Sequence, residues 1–384
     1  MRIMHLSDLH LGRNILEQSL IDDQKYILDE LLKMVVEEKV DIVLICGDVY
    51  DKSIPCIDAV NLFSDFLTRL HKNNVKVFVI SGNHDSKDRL CFGNELFIDN
   101  GIFIEGVFNG KLRCIELDDE YGRLNIYMLP FVKPIDVKKY FSDEYINSYD
   151  DAVRCIIKNT RINKDERNII MLHQFVTGRN IEIERSESET ISLGGIDNVN
   201  VNIFKDFDYV AMGHIHGPQK LQSDTIRYAG SPLKYSFSEV NQKKSVPIID
   251  YKEKFNINVN LIKILPKRDM RVIKGPIDKL LDKDVYDGTN LDDYICAVVT
   301  DNDYIIDAIG KLRNVYNNIL KIEYDNDRTV INNSNISDTG DVNINMSPNE
   351  LFKNFYEEQN NIELSNEYIK VIDSVIGEVF DEVN

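Results

Sequence analysis

Residues 75–85 read Val-Lys-Val-Phe-Val-Ile-Ser-Gly-Asn-His-Asp, so a short apolar run ends abruptly in polar residues. Two earlier stretches have the same form: Ile3–Leu6 leads into Ser7-Asp8-Leu9-His10, and Ile42–Ile45 leads into Cys46-Gly47-Asp48. Segments with apolar residues at helical spacing, Leu20–Glu38 and Ala59–Asn73, lie between these runs. This alternation predicts an α/β sheet, in which functional groups gather just beyond the carboxyl ends of the strands.

Later parts of the first 265 residues extend this pattern. Asn168–Leu172 ends at His173-Gln174, and Asp208–Met212 ends at Gly213-His214-Ile215-His216. The polar segment Asn180–Val199 is predicted to be a loop. Further strands that would close the sheet are predicted at Ile226–Tyr228, Val246–Tyr251 and Ile257–Ile264.

A second, smaller unit is predicted after Pro266-Lys267-Arg268-Asp269. Its predicted elements are a strand near Arg271–Lys274, a helix near Ile277–Leu281, a strand at Tyr294–Thr300, a helix at Tyr304–Tyr316 and a strand at Leu320–Tyr324. Asn326–Met346 is rich in Asn, Asp and Ser and is predicted to be a linker. Ser347, Pro348 and Glu350 form a helix-start signal, and a second helix is predicted to begin at Ser365. The predicted domains are therefore 1–265, 266–325, 326–346 and 347–384.

The charge balance of the 384-residue chain limits how it can bind partners. Lys and Arg total 45 against 64 Asp and Glu, which gives a formal net charge of −19. Such a chain is not expected to bind DNA by overall charge alone, but a local cationic site, especially one made by bound metal ions, is compatible with it. Residues 340–384 carry ten acidic and two basic side chains, so the C-terminal end is itself strongly acidic.

Several classes of protein are disfavoured. No stretch approaches the roughly 18 uninterrupted apolar residues of a membrane span, and Asp8 and His10 interrupt the N-terminus where a signal peptide has its apolar core. The six cysteines form no Cys-x-x-Cys pair, which argues against a zinc ribbon and against a thioredoxin-type motif. We therefore expect reduced thiols in a cytoplasmic protein.

Most of the histidines lie in the polar clusters that follow the predicted strands. The full set of donors in these clusters is His10, His84, His173, His214, His216, Asp8, Asp48, Asn83 and Asp85. Nitrogen and oxygen donors without a thiolate suit two divalent ions such as manganese or iron better than a structural zinc ion. One shared carboxylate can hold two such ions roughly 3.5–4 Å apart, and the pair can activate water against a phosphate ester. His5, in a strand, and His71, at a helix end, are expected to be structural.

Each cluster has an ordinary alternative when it is taken alone. Asp-x-His triplets are common on surfaces, and Gly-Asp and Gly-Asn often form tight turns. Gly213-His214-Ile215-His216 can equally be an ordinary loop. Five clusters in order, each after an apolar run, favour a functional site over five unrelated turns.

Taken together, these motifs resemble a known superfamily. Asp8-Leu9-His10, Gly47-Asp48, Gly82-Asn83-His84-Asp85, His173 and Gly213-His214-Ile215-His216 resemble the five motifs of the calcineurin-like metallophosphoesterases. Three further stretches, Ser86–Leu90, His173–Gly178 and Gly230–Glu239, resemble the SbcD-type nuclease subunits of SbcCD double-strand-break repair complexes. The resemblance implies an α/β fold, a metallophosphoesterase β-sandwich flanked by helices, with a small α/β capping domain and a C-terminal helix pair.

The resemblance also implies roles for individual residues. One divalent ion, expected to be Mn²⁺, would be held by Asp8, His10, Asp48 and His216. A second would be held by Asp48, Asn83, His173 and His214, with Asp48 as the bridge. His84 would face the scissile phosphate, and Asp85 would orient His84 through a hydrogen bond. Some relatives carry a histidine where this chain has Asp51, which leaves the balance of exonuclease and endonuclease action open.

The implied function is a metal-dependent DNA nuclease, acting as a double-strand exonuclease and as a single-strand and hairpin endonuclease in DNA repair, recombination and replication. The implied partner is an SbcC-type ABC/SMC-like ATPase, whose coiled coil the C-terminal helices would bind, with a homodimer of this chain inside a heterotetramer. The chain has no Gly-Lys-Ser/Thr phosphate loop, so it is not expected to hydrolyse ATP itself. Three alternatives stay open: a small-molecule phosphodiesterase or phosphatase with the same centre, a non-catalytic scaffold, and a helical tail that packs on its own chain.

Overall fold

The computed structural model describes residues 1–178, 181, 183–189, 197–303, 305–326, 352–357, 364–365, 368–369 and 371–372. The chain divides into two compact units, Met1–Asp269 and Met270–Asn384. The domain boundaries predicted after residues 265, 325 and 346 stay predictions.

The first unit contains most of the regular structure. Its strands are β1 Arg2–Leu6, β2 Asn14–Ile15, β3 Gln18–Ser19, β4 Ile42–Cys46, β5 Lys76–Ile80, β6 Ile102–Glu105, β7 Arg113–Asp119, β8 Gly122–Leu129, β9 Arg167–His173, β10 Val176–Thr177, β11 Val199–Asn200, β12 Tyr209–Gly213, β13 Gln219–Lys220, β14 Ile226–Tyr228, β15 Ser245–Tyr251 and β16 Ile257–Lys263. Its helices are α1 Ile21–Glu37, α2 Ile57–Lys72, α3 Lys87–Leu90, α4 Asn94–Ile98, α5 Pro134–Lys138 and α6 Tyr149–Lys158, with 3₁₀ turns at Val201–Phe204 and Phe237–Glu239.

Two six-stranded sheets form the body of this unit. The first has the order β16-β15-β1-β4-β5-β6 and the second has the order β13-β14-β12-β9-β8-β7. In the first sheet, β1, β4, β5 and β6 run parallel to one another. In the second sheet, β8, β9, β12 and β14 run parallel to one another. The strands predicted to close a single sheet therefore divide between two, because β15 and β16 extend the first sheet and β14 extends the second.

The two sheets pack face to face as a sandwich. Alternate residues of each strand supply the core between them, for example Leu44 of β4, Phe78 of β5, Met128 of β8 and Met171 of β9. The residues between these point to the opposite faces. Because every residue of β4 is buried, both of its faces are covered. The predicted sandwich is confirmed.

Helices cover the outer faces of the sandwich. Helix α1 buries one apolar stripe that includes Ile27 and Leu31, and α2 packs against β5. On the second sheet, Val153 and Ile156 of α6 join Ile170 and Val210 in one core cluster. The capping box of Ser148 fixes the start of α6, since its hydroxyl accepts from the Asp151 N–H at 3.1 Å.

Within residues 270–326, as far as the structure describes them, the second unit contains a small parallel sheet with three short helices. Its strands are β17 Met270–Gly275, β18 Tyr294–Val299 and β19 Asn318–Tyr324, and its helices are α7 Ile277–Leu280, α8 Lys283–Tyr286 and α9 Ala308–Arg313. Apolar residues of the strands and helices share one core, which consists of Ile277, Leu280, Ile295, Ala297, Val299, Ala308, Leu312, Tyr316 and Ile319. This matches the predicted small α/β domain.

The C-terminal predictions fall largely outside the described residues. Of the predicted linker Asn326–Met346, only Asn326 is among the described residues. Much of the predicted helix pair is also outside them, but residues 352–357, which are described, are helical. Among the helices that the structure describes, none combines the length and the apolar character needed to span a bilayer.

Candidate metal centre

The five polar clusters meet at one edge of the sandwich. The loops that follow β1, β4 and β5 carry Asp8, Asp48 and Asn83, while β9 of the other sheet ends at His173 and His214 directly follows β12. Because these strands are parallel within each sheet, their carboxyl ends lie at the same edge. Hydrogen bonds tie the loops together there, since the Asp8 N–H donates to the Gly47 carbonyl at 3.1 Å.

Two glycines allow the sheets to approach closely at this edge. A Cβ atom on Gly213 would lie 1.9 Å from the Cys46 carbonyl oxygen, and one on Gly47 would lie 2.2 Å from Nδ1 of His173. The His173 Nδ1–H donates to the Cys46 carbonyl at 2.7 Å, which joins the sheets directly. This bond assigns the proton of neutral His173 to Nδ1 and leaves Nε2 with its lone pair facing the cluster.

The backbone of the cluster is held in an uncommon conformation. Asp8, His10, Asp48 and His214 all have positive φ angles, at 53°, 42°, 49° and 97°. Left-handed backbone at non-glycine residues costs roughly 1–3 kcal/mol each and persists only where the surroundings impose it. The strain turns these side chains from separate loops toward one point.

One group of donors forms around His10. Asp8, His10 and His216 each offer a donor atom, and these atoms lie within 4.8 Å of one another. The Nε2 atoms of His10 and His216 are 3.2 Å apart. All three side chains are buried, so bulk water does not separate them.

A second group forms around Asp48. Its Oδ2 lies 3.3 Å from Nε2 of His173 and 3.6 Å from Nε2 of His10. The side-chain oxygen of Asn83 lies 3.1 Å from Nε2 of His173 and 3.1 Å from Nδ1 of His214. Asp48 therefore contacts donors of both groups, which is the position of a bridging carboxylate.

Burial and neighbouring charge set the protonation of these groups. Burial lowers the pKa of His10 well below its ordinary value, and burial with the charge of His173 lowers the pKa of His214 to about 3. Burial opposes ionisation of Asp48, but the charge and hydrogen bond of His173 hold its pKa well below the usual range. Burial alone would lower the pKa of His173, yet Asp48 raises it to about 9. Burial raises the pKa of Asp8 to about 6.

This donor set fits a pair of divalent ions. At a spacing of 3.2 Å, only one of the two Nε2 atoms of His10 and His216 can donate to the other, and the Asn83 oxygen faces two further ring nitrogens. A divalent cation would take the place of the protons in these contacts, because metal ligands bind in their deprotonated form. Imidazole nitrogen with carboxylate and amide oxygen suits Mn²⁺, Fe²⁺ or similar ions.

His84 stands at the rim of the cluster, where it also offers a ring nitrogen within 4.8 Å of donors of His10 and Asp48. Its side chain is 25% exposed, whereas those of His10 and Asp48 are nearly inaccessible, and its Nε2 lies 4.0 Å from Oδ2 of Asp48. Its backbone N–H donates to Oδ1 of Asp48 at 2.9 Å. A group from solvent can reach this ring, which it cannot do for the buried donors.

Asp85 is placed differently from the prediction. Its carboxylate accepts the N–H groups of Val49, Tyr50 and Gly82 at 3.1, 2.9 and 2.9 Å. Nδ1 of His84 instead faces the Asp51 carbonyl oxygen at 3.0 Å. In place of the expected direct bond, Asp85 joins the loops after β4 and β5, and it reaches His84 only through their backbones.

Asp51 also belongs to the surroundings of the cluster. Its carboxylate lies 2.9 Å from Nη1 of Arg13 and 3.7 Å from Nδ1 of His10. The remaining two histidines lie apart from the donors, as expected. His5 faces the Tyr209 hydroxyl at 3.1 Å, and His71 faces the Asn100 carbonyl at 3.0 Å.

Several residues near the cluster were given no role by the sequence analysis. Ser188, Glu189, Glu239 and Lys244 surround His216 on the side away from His10. Glu239 ends the Gly230–Glu239 stretch that carries the family resemblance, but neither that stretch nor the Ser-Glu repeat of residues 186–189 indicates a contact with His216. On the other side of the cluster, the guanidinium carbon of Arg185 lies 3.5 Å from the centre of the Phe175 ring.

Comparisons with known proteins agree with this geometry. Residues 1–218 match the family model of the calcineurin-like phosphoesterases, and residues 266–360 match that of the type 5 capsule protein repressor C-terminal domain. The chain is 32% identical over 326 residues to the SbcD subunit of nuclease SbcCD from Staphylococcus epidermidis, covering 84% of this chain and 85% of that protein.

Two solved structures are more distantly similar. A dimetal phosphatase from Danio rerio is 12% identical, with a TM-score of 0.38, over 68% of this chain and 95% of the phosphatase. The protein TT1561 of Thermus thermophilus is 10% identical, with a TM-score of 0.36, over 68% of this chain and 98% of that structure.

Proposed function

Because the chain belongs to the calcineurin-like phosphoesterase family, and within it to the relatives of SbcD, we propose that it is a DNA nuclease that uses two Mn²⁺ ions. Membership in the family makes it a hydrolase of phosphoester bonds with a dinuclear metal centre. The finer proposal is a double-strand exonuclease that also opens hairpins and cleaves single strands. The position of Asp48, between the His10 donors and the His173 donors, supports the two-ion centre, and the similarity to SbcD supports DNA as the substrate.

The proposed ligands form two overlapping sets. Asp8, His10, Asp48 and His216 would hold one ion, and Asp48, Asn83, His173 and His214 would hold the other. When bound, such a pair lowers the pKa of a water molecule and neutralises the oxygens of a phosphodiester. Manganese suits these nitrogen and oxygen donors without a thiolate.

His84 is proposed to act on the substrate rather than on an ion. Its ring is open to solvent on one side, and the Asp51 carbonyl accepts a hydrogen bond from its Nδ1–H. Its Nε2 therefore faces the space in front of Asp48. From there it can stabilise charge on the reacting phosphate or give a proton to the leaving oxygen.

Arg185 is proposed to bind a phosphate beside the one that reacts. Its guanidinium stacks on Phe175, whose ring centre lies 6.4 Å from that of His214. Arg185 makes no ion pair with a carboxylate among the described residues. A stacked guanidinium is well suited to binding a phosphate oxygen. A local cation of this kind matters in a chain of net charge −19.

A second copy of this chain is proposed to cover an apolar surface formed by α2 and by the segment from α3 to α4. Phe92 is 84% exposed, and Ile57 and Leu96 are also strongly exposed. Val60 and Phe92 line one apolar cavity of about 460 Å³ together with Leu67 and Phe97. Large exposed apolar patches commonly mark protein interfaces. Two copies would bury these side chains against each other and place two nuclease centres in one particle.

The remaining partner is proposed to be an SbcC-type ATPase. Residues 347–384, which lie largely outside the described residues, are proposed to bind the coiled coil of that partner. The ATPase would supply much of the contact with DNA that an acidic nuclease subunit lacks. Deleting residues 347–384 should weaken ATPase binding while both metal sites keep their affinity, and full ATPase affinity in the shortened chain would contradict the docking role.

Cleavage assays test the function itself. The purified protein, alone and with the ATPase, is given linear duplex DNA, hairpin DNA and bis-p-nitrophenyl phosphate in the presence of Mn²⁺. Cleavage of DNA supports the proposal. Hydrolysis of the small ester without any cleavage of DNA, in the presence of the ATPase as well, would favour the alternative of a small-molecule phosphodiesterase.

A further inference from the structure

His216 is held by protein groups at every polar atom that does not face the metal centre. Its Nε2 points toward His10, at 3.2 Å from the Nε2 of that residue. Its Nδ1 lies 2.7 Å from the Ser188 hydroxyl and 3.2 Å from Oε1 of Glu239. Its backbone N–H donates to Oε1 of Glu189 at 2.8 Å, and its carbonyl accepts from Lys244 at 2.8 Å.

The side-chain contacts assign the tautomer of His216. The Ser188 hydroxyl donates to Glu239, so the oxygen of Ser188 is left to accept from the ring. Glu239 can only accept, because its other oxygen takes the Lys244 ammonium at 2.7 Å. The proton of neutral His216 therefore lies on Nδ1, and the lone pair lies on Nε2, which faces the centre.

Stability alone does not account for these contacts. Glu239 and Lys244 form a buried ion pair, and such pairs seldom add net stability because removing two charges from water is costly. Glu189 is also buried, and its Oε2 finds no hydrogen-bond partner among the described residues. An unsatisfied carboxylate oxygen in a buried position costs free energy, which a residue with a purely structural role would avoid.

Ser188 and Glu189 come from the loop of residues 183–189, far in sequence from His216. Ser186 supports Glu189, since its hydroxyl donates to Oε1 at 3.0 Å. The N–H of Glu187 donates to the Ser238 hydroxyl at 3.0 Å, while the Glu187 side chain is exposed. The loop therefore contacts both His216 and the segment that carries Glu239.

We propose that Ser188 and Glu189 are positioning residues that hold His216 in place as a ligand of one of the two metal ions. This proposal deepens the proposed function and rests on its metal centre, but it does not depend on the substrate being DNA. Because coupled equilibria are reciprocal, a loop conformation that favours ion binding is itself made more stable when the ion binds. Removing a group that orients a ligating histidine commonly weakens metal binding by about ten- to a hundred-fold.

The decisive measurement is a titration of the metal-free full-length protein with Mn²⁺. Calorimetry gives the affinity of each site, and electron paramagnetic resonance shows how many ions are bound. Ser188→Ala and Glu189→Leu should each lower the affinity for one of the two ions by at least about ten-fold and leave the affinity for the other ion unchanged. At an ion concentration that just saturates both sites of the parent, the parent should give the spectrum of a coupled pair of Mn²⁺ ions. The two variants should give mainly the spectrum of a single Mn²⁺ ion at the same concentration. Glu189→Gln, which keeps an oxygen acceptor for the His216 N–H, should restore most of the affinity.

Glu187→Leu is the matched control, because it makes the same change two residues earlier on an exposed side chain. It should bind both ions as the parent does. Equal affinity for both ions in Ser188→Ala, Glu189→Leu and the parent would overturn the proposal, and so would an equal loss at both sites. Ser188→Ala removes one hydroxyl only, so it keeps the test valid even where Glu189→Leu fails to fold.

Hydrogen exchange supplies an independent readout. Adding Mn²⁺ to the parent should slow exchange of the amides in residues 183–189, and this slowing should be lost in Glu239→Gln. An unchanged exchange rate in that loop on adding the ion would contradict the coupling. Neither measurement involves DNA cleavage, so an absence of nuclease activity would bear on the proposed function and not on the role of this loop.

Discussion

Asp48 accepts the backbone N–H of His84 through Oδ1 at 2.9 Å, while its Oδ2 faces His10 and His173. The same carboxylate thus contacts both donor groups and fixes the backbone of His84, whose side chain is 25% exposed. Movement of Asp48 would disturb His84 as well as the ligands. This relationship links the position of the proposed catalytic ring to the metal centre.

Replacing His84 with alanine should separate catalysis from metal binding. We expect His84→Ala to reduce cleavage by about 10²–10⁴-fold, the usual contribution of one acid–base group. Both ions should stay bound, because the His84 ring belongs to neither of the two proposed ligand sets. Metal content and cleavage rate are measured on the same preparation. Retained turnover would contradict the proposed role of His84.

Removing the ions should abolish activity. Chelation with EDTA leaves the buried donors without the cations that neutralise their mutual repulsion, so cleavage should stop and be restored best by Mn²⁺. Thermal unfolding in EDTA should occur at a lower temperature, since ions that bind only the folded chain stabilise it. Restoration by Zn²⁺ but not by Mn²⁺ would contradict the argument from donor type.

The sequence predicted the donors better than it predicted their surroundings. Asp8, Asp48, Asn83, His173 and His214 each follow an apolar strand, and the carboxyl ends of parallel strands must lie at one edge. The rule applies within one sheet, so it groups Asp8, Asp48 and Asn83 in the first sheet and His173 and His214 in the second. That these two groups meet depends on how the two sheets pack, which the sequence pattern does not show.

Features that depend on long-range packing were not predicted. Ser188 and Glu189 lie on an irregular loop, and no periodic pattern links such a loop to His216. The need for glycine at residue 213 comes from the Cys46 carbonyl of the opposite sheet, which only the packed sandwich reveals. Strand β7, Arg113–Asp119, was missed because it is partly exposed and rich in acidic residues.

A buried ion pair at the opposite edge of the sandwich gives a prediction about stability. Arg167 of β9 is 2% exposed in its side chain and forms a double hydrogen bond with Asp119 of β7. It also donates to the Lys252 carbonyl, which follows β15 of the other sheet, at 2.9 Å. Asp119→Ala should lower the free energy of unfolding by roughly 3 kcal/mol, because it leaves a buried charge without its partner.

The pH dependence of this effect has a definite sign. Burial opposes ionisation of Asp119, but the hydrogen bonds from Arg167 hold its pKa below the ordinary value. A lowered pKa in the folded state stabilises the protein above the unfolded pKa, which is about 3.9, and this contribution is lost as the pH falls through the folded value. The loss of free energy of unfolding in Asp119→Ala, relative to the parent, should therefore be largest at pH 7 and should become smaller below about pH 4. Asp118→Ala, at an exposed surface pair with Arg123, is the control and should cost less than about 1 kcal/mol.

The apolar surface on α2 and α4 gives a prediction about assembly. Phe92→Ser combined with Leu96→Ser should convert a dimer of the parent into a monomer, measured by sedimentation velocity across a range of concentrations. Polar side chains at these positions remove the gain from burying apolar area. The control is Phe255→Ser, which changes an equally exposed aromatic side chain in the turn between β15 and β16. A parent that is monomeric at all concentrations would rule out the proposed homodimer of the isolated chain.

Arg185 gives a prediction about substrate binding that differs from the one for His84. If its guanidinium contacts a phosphate that does not react, Arg185→Ala should raise KM for DNA by about ten-fold and change kcat little, since the contact is the same in ground and transition states. Loss of one phosphate contact should also reduce the slope of log affinity against log salt by about 1. Hydrolysis of a small phosphodiester, which cannot reach beyond the reacting phosphate, should be unchanged.

Comparison with a second surface arginine makes this test specific to the site. Arg154 pairs with Asp150 on the exposed face of α6, at 2.7 Å, so Arg154→Ala removes the same charge without removing a contact near the metal centre. Arg154→Ala should have the same KM for DNA as the parent and the same slope of log affinity against log salt. An equal rise of KM in both variants would mean that only net charge matters. A fall of kcat in Arg185→Ala on both DNA and the small ester would instead place this guanidinium at the reacting phosphate, because the loss would then accompany the chemical step on every substrate.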